Sequence, residues 1–360
     1  MKSCSPFAPD TRIQRFGLAT AVAAVLLPVL ASASDYHDWK ERMADIEPAT
    51  YQCLKATEPV VIDGKLDDAA WRNAEWTSDF VDIEGDAKPR PRFQTKAKMA
   101  WDDNYLYVSA ILYEPDVWGT LTEHDSVIFQ DNDFEVFIDP DSDNHGYFEF
   151  EINALNTFWD LTLPKPYMDM GSADNSWEIR GIKTAVSVQG TLNDPSDEDR
   201  SWIVEMAFPW EAYGDTGVPE EGDFWRINFS RVQWQSTVRE GSYQKVPGTH
   251  EDNWVWSPQG VVDMHRPEMW GYLVFGSEVA IDAIQSRGSR DAMYSVYYAQ
   301  RDYYAKHEKW AKTLKKLGLK RLEGQVDLNA SKSGYKASVT DASGTWTIDH
   351  VRHVEGPDRN

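Results

Sequence analysis

The chain has 360 residues, room for one large domain plus a smaller piece or for two domains, and its 36 Lys+Arg against 59 Asp+Glu leave a net charge of −23. That charge excludes a binder of the nucleic-acid phosphate backbone, which would be repelled. With 41% hydrophobic and 13% aromatic residues the chain has too much core-forming side chain to be disordered as a whole. Sixteen tryptophans can fill a core and still leave platforms for flat ligands or sugar rings, and two cysteines cannot make a disulfide scaffold.

Residues 1–33 read as a secretory signal peptide: Lys2, Arg12 and Arg15 supply the positive region, Phe16 to Leu30 the apolar run, and Ala31-Ser32-Ala33 the small-residue cleavage pattern, with the cut before Ser34. The alternative is a short membrane anchor, for which the run is too short and wrongly flanked. Cleavage removes Cys4 and leaves Cys53 alone. Thr50-Tyr51-Gln52 before it is not the small-residue setting of a lipid-modified cysteine, so a free thiol is expected. The expected destination is the periplasm or the outside of the cell, with no other run long enough to span a bilayer.

Residues 34–54 form a polar, partly helical lead-in. From there to about residue 277 strand patterns dominate. Thr95 to Trp101 and Tyr105 to Tyr113 are joined by Asp102-Asp103-Asn104, which reads as a hairpin. Phe134, Val136 and Ile138 alternate with Asp133, Glu135 and Asp139; Phe148, Phe150 and Ile152 alternate with Glu149, Glu151 and Asn153. The same period-2 pattern recurs over Trp202 to Phe208 and Trp225 to Ser230. This repetition predicts a mainly β fold, an antiparallel β-sandwich. Residues 278–360 form an appendix: a helix over Ser289 to Leu317, stopped by Gly318, then three short strands at Val326–Leu328, Tyr335–Val339 and Trp346–Ile348.

Within the β-rich part, Val61-Ile62-Asp63-Gly64-Lys65-Leu66-Asp67-Asp68-Ala69-Ala70-Trp71, Trp101 to Val108, Asp133 to Asp139, Trp202 to Trp210 and Trp270-Gly271-Tyr272-Leu273 occur in an order that resembles the family 9 carbohydrate-binding modules. The resemblance implies a β-sandwich, non-catalytic sugar binding and often structural calcium. Sugar-gripping members of that family clamp the ring between two tryptophans; the corresponding places here are held by Phe129 and Met264. The acidic-strand glutamate carries over as Glu135, and Glu151 stands where the family has a polar, often basic, contact.

On the residues themselves, Asp133, Glu135, Glu149, Glu151, Asn153, Glu205, Asn228 and Ser230 fall on the polar side of the alternating strands, suited to paired sugar hydroxyls or to a merely solvated sheet face. Trp118, Phe129, Trp159, Trp254, Trp256 and Trp270 cluster near strand ends, and Trp254 and Trp256 share one face before Pro258. The expected ligand is a glycan or oligosaccharide, held by Phe129, Glu135, Glu151, Asn228, Trp254, Trp256 and Met264. Asp139, Asp141 and Asp143 offer an oxygen cluster for structural Ca²⁺, although Phe150 stands where a calcium loop has its twelfth-position glutamate. Two further readings remain: Glu135 and Glu151 as the carboxyl pair of a glycoside hydrolase, and Met264, His265 or His145 as haem ligands. The sequence contains no phosphate-binding loop, dinucleotide fingerprint or nucleophile elbow.

Overall fold

The computed structural model describes residues 35–276, 286–320, 322–342 and 344–357. The expected signal segment 1–33 and the expected junction between residues 277 and 278 lie outside the described residues. Among the described residues no helix is long and apolar enough to cross a membrane.

Strands dominate, as the alternation predicts. They run in chain order as β1 (Thr50–Lys55), β2 (Val81–Asp82), β3 (Thr95–Trp101), β4 (Tyr105–Tyr113), β5 (Asp133–Asp139), β6 (Tyr147–Asn153), β7 (Phe158–Leu163), β8 (Lys183–Gln189), β9 (Ser201–Pro209), β10 (Phe224–Gln233), β11 (Ser236–Arg239), β12 (Ser242–Lys245), β13 (Asp252–Val255) and β14 (Gly271–Phe275). The β3–β4 hairpin forms at the expected place because Asp102 folds back on its own turn. Its carboxylate accepts the backbone N–H of Asn104 and of Tyr105.

The two layers are one curled sheet, ordered β7-β6-β5-β10-β14-β1-β3-β4-β9-β8. The strand that joins them is β1, whose Thr50–Cys53 pair with β14 and whose Leu54–Lys55 pair with β3. Both pairings are parallel, the one departure from the antiparallel expectation along that path. Neither partner is joined to β1 by a hairpin, so no tight turn imposes the antiparallel direction. Between the layers lie the apolar halves of the alternating strands: Phe134, Val136 and Ile138 of β5, Val108 and Ala110 of β4, Val204 and Met206 of β9, and Ile227 and Phe229 of β10. Phe150 of β6 meets Phe208 of β9 edge to face, ring centres 5.3 Å apart, across this core.

The C-terminal helix spans Arg287–His307, ten residues short of the expected end at Leu317. Ser286 caps its start by accepting the Ser289 N–H, and Glu308 in the left-handed region turns the chain back. The Gln300 amide then brackets Ala311, donating to its carbonyl and accepting from its N–H, so Leu314–Leu317 closes as a separate 3₁₀ turn. The expected three strands become four: β15 (Gln325–Ala330), β16 (Tyr335–Asp341), β17 (Gly344–Asp349) and β18 (Val354–Glu355). A second apolar cluster joins Trp39 and Met43 of the lead-in, Val261 and Met269, and Met293, Val296, Tyr297 and Tyr298 of the helix to Val339 and Ile348 of the small sheet. Lead-in and appendix, distant in sequence, thus share one core.

Candidate functional site

The outer face of β5, β6 and β7 is not a solvated floor. Phe137, Tyr147, Leu161, Leu163 and Trp270 form an apolar patch on it, and the 261–270 segment lies over part of it. What stays open is a cleft of about 340 Å³, at the small end of the range for small-molecule sites. Glu135 of β5 and Glu149 and Glu151 of β6 are on its floor, Trp159 and Leu161 of β7 on one side, and Phe129, Tyr167, Met264, His265 and Glu251 around its rim.

Strand register puts the glutamates together. Glu135 lies directly opposite Glu151, and Glu149 opposite Phe137 on the next rung. All three are nearly buried, at 5%, 7% and 2% exposure. One carboxylate oxygen from each of Asp133, Glu135 and Glu151 lies within 4.8 Å of the others. Like charges opposed on adjacent strands repel, and burial penalises each ionised form. Burial therefore pushes Glu135 up to about 7; burial and Glu135 together push Glu149 up to about 8. Burial and its neighbouring carboxylates raise Glu151 and Asp133 well above the usual range. Protonated carboxyls at neutral pH both donate and accept hydrogen bonds, which is what a ring of sugar hydroxyls requires. Burial, with Arg352 and Arg266 nearby, pushes the His265 imidazole down to about 4, so it stands neutral with Nδ1 2.9 Å from the Tyr147 hydroxyl.

Of the residues expected to hold the ligand, the cleft brings together Phe129, Glu135, Glu151 and Met264. The half-buried Phe129 belongs to the 3₁₀ turn Ile128–Gln130. Its backbone N–H donates to Glu151 at 3.0 Å and its carbonyl accepts from Trp234 Nε1 at 2.9 Å, which fixes the rim to the floor. Met264 holds the opposite rim, its carbonyl accepting from Trp270 Nε1.

Three expected contacts are placed elsewhere. Trp254 and Trp256 share a face as expected, but it is the inner one: both are 3% exposed and pack in the sandwich core. Trp256 lies so close to Gly271 that a Cβ there would stand 2.4 Å from the indole. Asn228 is wholly buried and committed to the backbone, its amide donating to the Ser257 carbonyl and accepting the Ser257 N–H. Alternation tells which residues share a face, not which face is covered. Glu205 is likewise spoken for in the other layer, accepting the N–H groups of Asp63, Gly64 and Lys65 and the indole N–H of Trp71. Glu149 and Trp159 were legible as members of the right strands, whereas Tyr167 and Glu251 sit in irregular segments where no period points at them. His145 turns to the appendix, its Nε2 2.7 Å from the Val351 carbonyl.

The Asp139, Asp141 and Asp143 carboxylates converge to within 4.8 Å of one another, a set of hard oxygen donors of the kind Ca²⁺ takes. Burial and the other two aspartates raise Asp139 well above the usual range. Its two oxygens also accept the backbone N–H groups of Ser142 and Asn144, and Asp143 meets His353 Nε2 at 2.8 Å.

Residues 62–255 match the family model described as carbohydrate family 9 binding domain-like. Among curated proteins, the chain is 31% identical over 150 residues to endo-1,4-beta-xylanase A of Thermoanaerobacterium saccharolyticum and 30% identical over 151 residues to exoglucanase XynX of Acetivibrio thermocellus. In both cases the match takes in 42% of this chain and only 11% of the relative's length. Among solved structures, a Bacteroides uniformis protein proposed to bind carbohydrate superposes with a TM-score of 0.50 at 16% identity, over 64% of this chain and all of that one. A family 9 carbohydrate-binding module of Caldicellulosiruptor kristjanssonii, solved with cellotriose, gives 0.41 at 17% identity, over 63% of this chain and 95% of that one.

Proposed function

This chain belongs to the carbohydrate family 9 binding domain-like family, and from that membership we propose that it captures a glycan or oligosaccharide in the β5–β7 cleft without cutting it. The observation that carries the reading is the cleft itself: three nearly buried glutamates on its floor, between Phe129 on one rim and Met264 on the other, with Trp159 at the side. Carboxyls buried side by side cost stability, and such perturbed groups cluster at functional sites. Sugar C–H groups would lie on the aromatic faces while ring hydroxyls exchange hydrogen bonds with the floor.

Hydrolysis is the alternative to holding. An inverting pair stands about 6.5–9.5 Å apart and a retaining pair about 5–5.5 Å apart. Oxygens of Glu135 and Glu151 lie within 4.8 Å, too close for the inverting arrangement but not for the retaining one, so incubation with the glycan decides between the two. A glycan array probed with the mature chain identifies the sugar, and chromatography of that sugar before and after long incubation tests the reading. Intact glycan supports it. Released fragments that vanish in Glu135→Gln or Glu151→Gln would replace it with a hydrolase.

The site of action proposed is outside the cytoplasm, on the strength of the signal-like first 33 residues. N-terminal sequencing of native material should find Ser34 or a close neighbour first. For the Asp139, Asp141 and Asp143 cluster we propose structural Ca²⁺. Chelation should lower the melting temperature, since an ion bound only to the folded state stabilises it, and Asp141→Ala should remove that sensitivity.

A further inference from the structure

Away from the cleft floor, His124, Asp160 and Glu178 each offer one ligand atom, and these three atoms all lie within 4.8 Å of one another. They come from three segments: the loop leading to the Phe129 turn, strand β7, and the stretch before β8. His124 Nδ1 lies 3.0 Å from the Phe158 carbonyl, so Nδ1 carries the proton and donates. That bond turns Nε2 toward carboxylates of Glu178 at 3.1 Å, Asp125 at 3.4 Å and Asp160 at 3.8 Å. A bare nitrogen lone pair facing three carboxylates is repelled unless something positive stands between them.

A proton on Nε2 would serve one acceptor, Glu178, and leave the buried Asp160 oxygen unpaired. Asp160 makes this insufficient. It is wholly buried, one oxygen accepts the Ile179 N–H, and the other, Oδ1, has no hydrogen-bond partner. At 3.8 Å that oxygen is beyond hydrogen-bond reach of Nε2. It is, however, at the separation of two ligands on one ion. Bonds of about 2.0–2.1 Å at tetrahedral angles put neighbouring ligand atoms about 3.3 Å apart, the middle of the observed range. Imidazole nitrogen with carboxylate oxygens is a Zn²⁺-type donor set rather than a calcium one, and a metal-bound histidine commonly donates its other N–H to a backbone carbonyl.

We propose that His124, Asp160 and Glu178, with Asp125 as a neighbouring third carboxylate, form a site for a divalent cation of the Zn²⁺ type. His124 and Glu178 are exposed, which leaves the ion a way in and room for water. Bound there, it staples the loop that leads to Phe129 to the strand that bears Trp159, so it braces two sides of the cleft.

The test uses the full chain, stripped of metal with a chelator and titrated with ZnCl₂ at neutral pH, with CaCl₂ as comparator. Calorimetry gives affinity, and long-range ¹H–¹⁵N spectra of the histidine rings give the site. The expected result is Zn²⁺ binding that shifts the His124 Nε2 resonance while Nδ1 stays protonated, with little response to Ca²⁺ there. His124→Ala and Glu178→Gln, both exposed, should fold normally and weaken that binding about ten-fold or more. Asp160→Asn should do the same, and because Asp160 holds the Ile179 N–H, the two exposed variants decide the matter should it fail to fold. A His124 Nε2 resonance that is protonated and unmoved by Zn²⁺, or an affinity unchanged in His124→Ala and Glu178→Gln, overturns the proposal and leaves an imidazolium among carboxylates.

Discussion

Glu149 is a carboxyl whose neighbours make it an acid of nearly neutral strength. Burial and Glu135 lift it to about 8, and Glu135 itself stands at about 7, against about 4.3 for an unfolded glutamate. Between those values the folded state holds more protons than the unfolded one. The stabilisation from these groups is therefore complete below about pH 4 and is lost as pH rises through 7 and 8. Melting curves of Glu149→Gln and the parent should converge near pH 4 and part progressively up to about pH 8, the variant higher by a few degrees, about 2–4 °C for each kcal/mol. A difference that does not change with pH would show that Glu149 ionises freely. The tryptophans give a second contrast at this scale. Trp256→Ala should cost about 3–5 kcal/mol of stability as a core truncation, whereas Phe129→Ala should leave the melting temperature nearly unchanged and weaken glycan binding about ten-fold, an aromatic face being worth about 1–3 kcal/mol in a comparable stack. The period-2 pattern sorted Glu135, Glu149 and Glu151 to one face and Phe134, Val136 and Phe150 to the other. It could not tell that Trp254 and Trp256 point inward, because an indole is as acceptable in a core as on a rim.

At the scale of elements, the appendix is tied to the sandwich by ion pairs as well as apolar packing. Arg352, wholly buried, reaches Asp169 at 3.1 Å and Glu268 at 3.0 Å. Asp169 pairs also with Arg301 of the long helix, and Asn144, beside the aspartate cluster, donates to the Arg352 carbonyl and the Tyr294 hydroxyl. Removing one member of such a set strands the others' charge in the interior. Arg352→Ala should therefore cost about 3–5 kcal/mol, read as a drop in denaturation midpoint; a loss under about 1 kcal/mol would make the appendix a loosely attached accessory. The helix and the small sheet were legible as elements from their periods, whereas Gly318 closes the Leu314–Leu317 turn and not the helix. Their attachment was not, because it rests on single residues such as Arg352 and Trp39 that carry no pattern. The same holds for β1, whose parallel pairing to β14 and β3 depends on partners more than 40 residues away in sequence.

At the scale of the molecule, a curled sheet closes one core between its layers, while lead-in and appendix close a second. The glutamate floor lies on the outer side of β5 and β6, under the 261–270 segment. This arrangement explains how a sequence whose polar positions look solvated yields a cleft with nearly buried carboxyls. The central claim is that this cleft is where glycan binds. Titration calorimetry of the array-selected glycan into the parent, Phe129→Ala, Trp159→Ala and Glu151→Gln, each shown folded by its melting curve, tests it most directly. The account predicts saturable binding by the parent and a loss of about ten-fold or more in each variant; parent-like affinity in all three would contradict it and place the site elsewhere on the chain.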